Sequence, residues 1–318
     1  MATGAAPQRI VSLLPSATEI LFAIGAGSRV VAVTHECDYP PPVRYLPRVT
    51  ANALPTDGAA PADIDRHIRK ARHEGSSIYL LDEARLHQLH PDLIVTQELC
   101  DVCAVAYTQV ERAARSLPGE VPVLSLEPET LEDILTTIDL AGRATGCEAG
   151  AEATVAQMRE RIGVVAAAST AEKPPSVVCI EWTEPLMAGG HWVPDMVRLA
   201  GGEDRLGETG HPSRQITWEE VLAAQPDVLV LMPCGFGLER TLEVSPEVTT
   251  RPGFDDLPCA RTGRVIAVDG SSYFNRPGPR IVSGLEILAS ALRASPGDAL
   301  PRGAAWIPLP VTATTSPG

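Results

Sequence analysis

The feature that most constrains the fold is a repeat. The segments "HPDLIVTQ" and "PDVLVLMP" each place a Pro-Asp pair ahead of an unbroken apolar run, with Asp92 and Asp227 135 residues apart. Val123 in "VPVLSLEP" and Val265 in "GRVIAVD" recur at nearly the same offset, 142 residues. Short apolar runs bounded by turn residues read as strands buried on both faces. They alternate with helical patterns: "RIVSLL" leads into Ser16 and Glu19 at capping-box spacing, "VVAVT" into a proline-rich loop, and "TWEEVLAA" precedes Asp227. Strands alternating with helices predict parallel βαβ units, and recurrence at a fixed offset predicts two of them. The expected fold is therefore α/β, two Rossmann-like lobes joined by a long helix, with a ligand cleft between the lobes. The lobes are expected over residues 8–127 and 174–300. Residues 128–173, dominated by Ala, Glu, Leu and Arg, form a helical linker, and the Pro- and Thr-rich residues 301–318 a poorly ordered tail.

Composition narrows the partners. With 318 residues, 44% of them hydrophobic, the chain buries a substantial core, and a net charge of -14 offers no basic surface for nucleic acid or anionic membranes. The first 25 residues lack a charged leader region, and Pro15, Ser16 and Glu19 break their apolar run, so neither a signal peptide nor a membrane span is expected. That reading predicts a cytoplasmic protein without membrane insertion. There the seven cysteines are free thiols, metal ligands or redox groups rather than a disulfide framework.

Ligands of open parallel sheets bind beyond the carboxyl ends of the strands. The loops expected there hold nearly every soft or titratable candidate: "THECDYP" with His35, Glu36 and Cys37; "TQELCDVC" with Gln97, Cys100 and Cys103; "IEWTEPLMAGGHW" with Glu181, Trp182 and His191; "MPCGF" with Cys234; and "DGSSYFNRPGPR" with Tyr273 and Arg276. His35, Cys37, Cys100, Cys103, His191 and Cys234 make a candidate metal set, because mixed thiolate and imidazole donors suit Zn or Fe. Packing is the competing role for each lone thiol, and Cys100 and Cys103 also suit a redox pair. Arg276 and Arg280 flank a helix start, where cations oppose the helix dipole. An anionic ligand group or a carboxylate partner, Glu36 or Glu181, is expected to account for them. Trp182 reads as a ligand-facing ring, whereas Trp192 reads as core.

"RIVSLLPSATEILFAIGAG", "CDYPPPV", "PDLIVTQ", "AGGEDRLGETG" and "NRPGPRIV", in this order, resemble the cobalamin-binding and iron-chelate-binding proteins of ABC importers over residues 9–292. The resemblance implies two lobes bridged by a long helix around a ligand. Three places where cobalamin binders carry tryptophan hold Asn52, Gln97 and Ser213, and a tyrosine place holds Glu36, so cobalamin is a candidate ligand whose usual aromatic contacts are replaced. Arg276 matches the family's ligand-facing arginine. Of the two glutamates that dock on a transporter, Glu219 is present, but the other place holds Ala84 beside Glu83, which puts ABC-transporter docking in doubt. An apparent insertion separates Asn52 from Tyr79. The chain thus reads as a cytosolic ligand-binding protein holding a metal or metal-containing small molecule. The alternative is a metal-dependent hydrolase, lyase or hydratase in which Glu36 or Glu181 moves protons.

Overall fold

The computed structural model describes residues 5–53, 58–73, 78–97, 107–119, 121–169 and 173–309. The chain divides into two compact units, Met1–Val164 with Arg276–Val282, and Val165–Asn275 with Ser283–Gly318. In the first unit the strands are β1 (Ile10–Ser12), β2 (Val30–Ala32), β3 (Thr50–Asn52), β4 (Tyr79–Leu81), β5 (Leu93–Thr96) and β6 (Val123–Ser125). The helices are α1 (Pro15–Ala23), α2 (Pro61–His73), α3 (Glu83–Leu89), α4 (Tyr107–Ser116), α5 (Leu131–Thr145) and α6 (Glu148–Ala168). The main sheet is parallel in the order β2-β1-β5-β6, so strand order reverses between β1 and β5. Val11, Leu13, Ile94, Leu86 and Val110 form its core, each buried Leu or Ile contributing about 1.5–3 kcal/mol. The stretch read as an insertion supplies α2, with Ile64 and Ala71 buried, and is flanked by an antiparallel ribbon of β3 with β4.

The second unit contains β7 (Ser176–Thr183), β8 (Leu186–Ala188), α7 (Val193–Leu199), β9 (Glu203–Asp204), α8 (Trp218–Ala224), β10 (Val228–Leu231), β11 (Val265–Val268) and β12 (Ala304–Trp306). Its sheet runs β12-β11-β10-β7-β8, with β9 on β7. The strands β7, β10 and β11 are parallel and fully apolar at their centres. Ile180, Leu229, Leu231, Phe254 and Val265 lie in its core.

The repeat has a concrete structural basis. Helix α3 ends at His90 (φ 45°) and α8 at Gln225 (φ 44°), both in the left-handed region, and a proline follows each so that the helix cannot continue. Asp92 then accepts from the amides of Gln8 and Arg9 (2.7 and 2.8 Å), and Asp227 from the amide and hydroxyl of Ser176 (2.9 and 2.8 Å). Each aspartate ties the start of its strand to the neighbouring strand.

Three expectations change. Ser16 and Glu19 do not form a capping box: α1 opens on Pro15 after an extended Leu14, which leaves Ser16 and Glu19 buried within the helix. The division between units falls inside the 21-residue α6, and Arg276–Val282 returns to the first unit. The segment beyond Pro301 is not a loose tail over residues 301–309. Strand β12 pairs antiparallel with β11, Ile307 is 4% exposed, and the Trp306 indole donates to Asp298 O at 2.9 Å.

Candidate functional site

In the first unit the loop after β2 is built around a buried thiol. Cys37 is 1% exposed, with its Sγ 3.1 Å from both the Thr18 and Thr34 hydroxyls. Burial pushes the thiol pKa up, against those hydrogen bonds. Cys37 thus fastens the loop to α1 rather than presenting a metal donor. His35 Nδ1 lies 2.8 Å from Thr50 Oγ1, and its ring packs on Tyr79 at 5.4 Å. Glu36 is exposed and accepts from the Tyr79 hydroxyl at 3.2 Å.

The partner of the arginines is not a glutamate of the expected pair. Glu19, whose side chain is 2% exposed, accepts from Arg280 Nε at 2.9 Å and Nη2 at 2.6 Å, a bidentate pair. Burial raises the Glu19 pKa, and Arg280 and then Arg276 oppose that shift. Arg276 donates to Asp38 Oδ1 at 2.5 Å and to the Glu36 carbonyl at 3.3 Å, and its Nη1 lies 3.8 Å from Glu19 Oε1. The Arg280 guanidinium stacks over the Tyr39 ring at 4.3 Å. Glu36 therefore contributes its backbone, and Glu181 has no part in this cluster. The four charged groups gather beside the carboxyl ends of β1 and β2. At the end of β5, Gln97 is 7% exposed.

In the second unit, β7 carries an irregularity between Ile180 and Trp182 that seats Glu181. Glu181 Oε2 accepts from the Ser213 hydroxyl at 2.6 Å and the Gly190 amide at 3.3 Å, while its carbonyl accepts from the Cys234 amide at 3.1 Å. Desolvation by burial raises its pKa against both side-chain hydrogen bonds. Gly190 is required here. A Cβ would stand 2.4 Å from Ser213 N and 2.7 Å from His211 O, both backbone atoms that cannot swing aside. His191 follows with φ 51°, its amide on His211 O at 2.6 Å and its ring stacked on Trp192 at 5.6 Å. Trp192 itself is core, its indole donating to Phe274 O at 2.8 Å.

Trp182 is half-buried, with its indole fixed to Glu184 O at 3.0 Å. Its ring meets Phe236 at 5.3 Å, over which Arg240 sits at 5.4 Å. Tyr273 closes a short helix and packs its ring against Gly303, where an added Cβ would stand 2.8 Å from Cε2. Cys234 is half-buried beside Glu181.

Cys100 and Cys103 lie outside the described residues. Among the described residues no three His, Cys, Asp or Glu side chains are arranged to hold a metal ion. His35 and Cys37 are engaged by hydroxyls, and His191 and Cys234 belong to the other unit, so the expected donor set does not come together within either described unit. Sequence reasoning missed Glu19, Asp38 and Phe236. An acid inside the otherwise uncharged "LLPSATEILF" was the available signal for Glu19.

The family described as periplasmic binding protein matches residues 10–271. A vitamin B12-binding protein of Pectobacterium carotovorum subsp. carotovorum is 26% identical over 302 residues, covering 93% of this chain and 92% of that protein. Among solved structures, a periplasmic heme-binding protein from Roseiflexus sp. RS-1, in apo form, aligns with TM-score 0.66 at 26% identity over 90% of this chain and 97% of its own. The periplasmic vitamin B12-binding protein of Vibrio cholerae aligns with TM-score 0.66 at 21% identity over the same shares, a likeness of fold. These findings overturn the cytoplasmic expectation and point to a periplasmic or extracellular location; the makeup of the first 25 residues does not by itself fix a compartment. With the family match spanning most of its length, and α/β topology repeated in both units, the chain belongs to the periplasmic binding protein family.

Proposed function

We propose that the protein captures a small metal chelate, a cobalamin, a haem or a ferric chelate, and delivers it to a membrane importer. The metal enters as cargo within its organic ligand rather than as a resident cofactor, which agrees with the engagement of His35 and Cys37 by threonine hydroxyls. The observation that carries this reading is the half-buried Trp182 ring, fixed by Glu184 and backed by Phe236 at the carboxyl end of β7. A flat, rigid macrocycle gains from an aromatic face held in place, because little side-chain entropy is lost on contact. Beside Trp182 in the second unit, Glu181 and Ser213 supply polar atoms for the amide or carboxylate fringe of such a ligand. Delivery is supported by Glu219, exposed in the first turn of α8, and by Glu83, first residue of the matching α3.

Tryptophan fluorescence tests the reading. Titrating the protein with haemin, cyanocobalamin and a ferric hydroxamate is expected to give saturable quenching by one of them. Trp182→Ala is expected to weaken that ligand about tenfold, the factor to which 1.4 kcal/mol corresponds. Unchanged affinity in the variant would remove Trp182 from the site.

A further inference from the structure

We infer that Glu181 sets fringe specificity in the second unit: its carboxylate admits a chelate that presents an N–H donor there, such as a primary amide, and turns away one that presents a carboxylate. This narrows the chelate-capture reading and rests on it. Glu181 stands at the carboxyl end of β7, where ligands of parallel sheets bind, and the loop after β10 meets it through the Cys234 amide on its carbonyl at 3.1 Å. The irregularity between Ile180 and Trp182 interrupts the alternation that would otherwise send Glu181 and Trp182 to opposite faces of the strand.

The carboxylate is fixed through one oxygen. Oε2 takes both the Ser213 hydroxyl at 2.6 Å and the Gly190 amide at 3.3 Å, and Gly190 is itself packed against backbone atoms of His211 and Ser213. Glu181 is half-buried, and its second oxygen, Oε1, is neither paired nor enclosed among the described residues. One acceptor is thus held ready for a ligand. Charge decides what that ligand group is. Arg214, next to Ser213, is taken by Glu220 at 2.8 Å, and Arg251 by Glu184 at 2.8 Å. Arginines oppose the effect of burial on Glu19, whereas no cation among the described residues does so for Glu181. An ionised carboxylate only accepts hydrogen bonds, so a second carboxylate brought to Oε1 repels it with no donor between them. An amide N–H supplies that donor, and its bond to a charged acceptor is the stronger for it.

The test uses ligands that differ by one charge: cyanocobalamin and its three mono-acids, in each of which one propionamide of the ring has become a propionate. Binding is followed by tryptophan fluorescence at pH 8 in the wild type and in Glu181→Gln, which keeps the length of the side chain and an acceptor for Ser213 and Gly190. The wild type is expected to bind at least one mono-acid about tenfold more weakly than the parent, and the variant to shrink that deficit to about twofold. Mono-acids that all bind the wild type as tightly as the parent overturn the inference, and this comparison needs no variant. An equal deficit in wild type and variant overturns it as well. Capture of haemin or a ferric hydroxamate by the wild type with no binding of cyanocobalamin sinks the inference alone, whereas binding of none of the three removes the capture reading with it.

Discussion

At the scale of single residues, burial decides which charges matter. Glu19 is buried and Glu181 half-buried, and in both desolvation raises the carboxyl pKa, but their neighbours differ. Arginines surround Glu19, whereas the Glu181 carboxylate accepts from the Ser213 hydroxyl and the Gly190 amide. A carboxyl whose folded pKa lies above its ordinary value of 4.5 favours the folded state fully below that value. The contribution is lost as pH rises through the elevated folded pKa. Glu181→Gln keeps the acceptor for Ser213 and Gly190 and removes the titration. The variant is expected to match the wild type in urea unfolding near pH 4 and to exceed it at pH 7. Greater loss in the variant at pH 7 than at pH 4 would contradict the assignment. In the sequence the lone acid of an uncharged stretch was the one signal for Glu19, and it was masked by the capping-box spacing of Ser16 and Glu19; only the extended Leu14 and the helical Pro15 show that the helix begins earlier.

At the scale of elements, the apolar runs were legible because strands buried on both faces leave no alternation to misread. The runs around Ile10, Leu93, Val177, Val228 and Val265 all became strands. Turn chemistry was equally readable: His90-Pro91-Asp92 and Gln225-Pro226-Asp227 end one element and begin the next in both units. What escaped was the edge. Strand β12 follows Pro301 and Gly303 at the start of a stretch rich in Pro, Thr and Gly, so composition suggested a loose end. Its place is fixed by the open side of β11 and by the core into which Ile307 packs. Ile307→Ala is accordingly expected to cost about 2–4 kcal/mol in denaturant unfolding, as for other buried isoleucines, whereas truncating a loose tail would cost nothing measurable. The candidate site was only partly legible for a related reason. Residue type marks Cys37 and His35 as donors, but the hydroxyls of Thr18 and Thr50 that engage them come from other elements, and that of Thr34 from the turn of the loop itself.

At the scale of the whole molecule, the repeat shows in the sequence, and the family match places the chain among periplasmic binding proteins. The cytoplasmic expectation failed because it leaned on the N-terminus rather than on the fold. The central claim is that this scaffold, with polar side chains where cobalamin binders carry tryptophan, still takes a metal chelate. Native mass spectrometry of the intact protein with an equimolar mixture of haemin, cyanocobalamin and a ferric hydroxamate tests it most directly. The expected result is a single 1:1 adduct of one chelate that survives dilution to micromolar protein. A spectrum showing only the bare protein at every chelate excess would contradict the account.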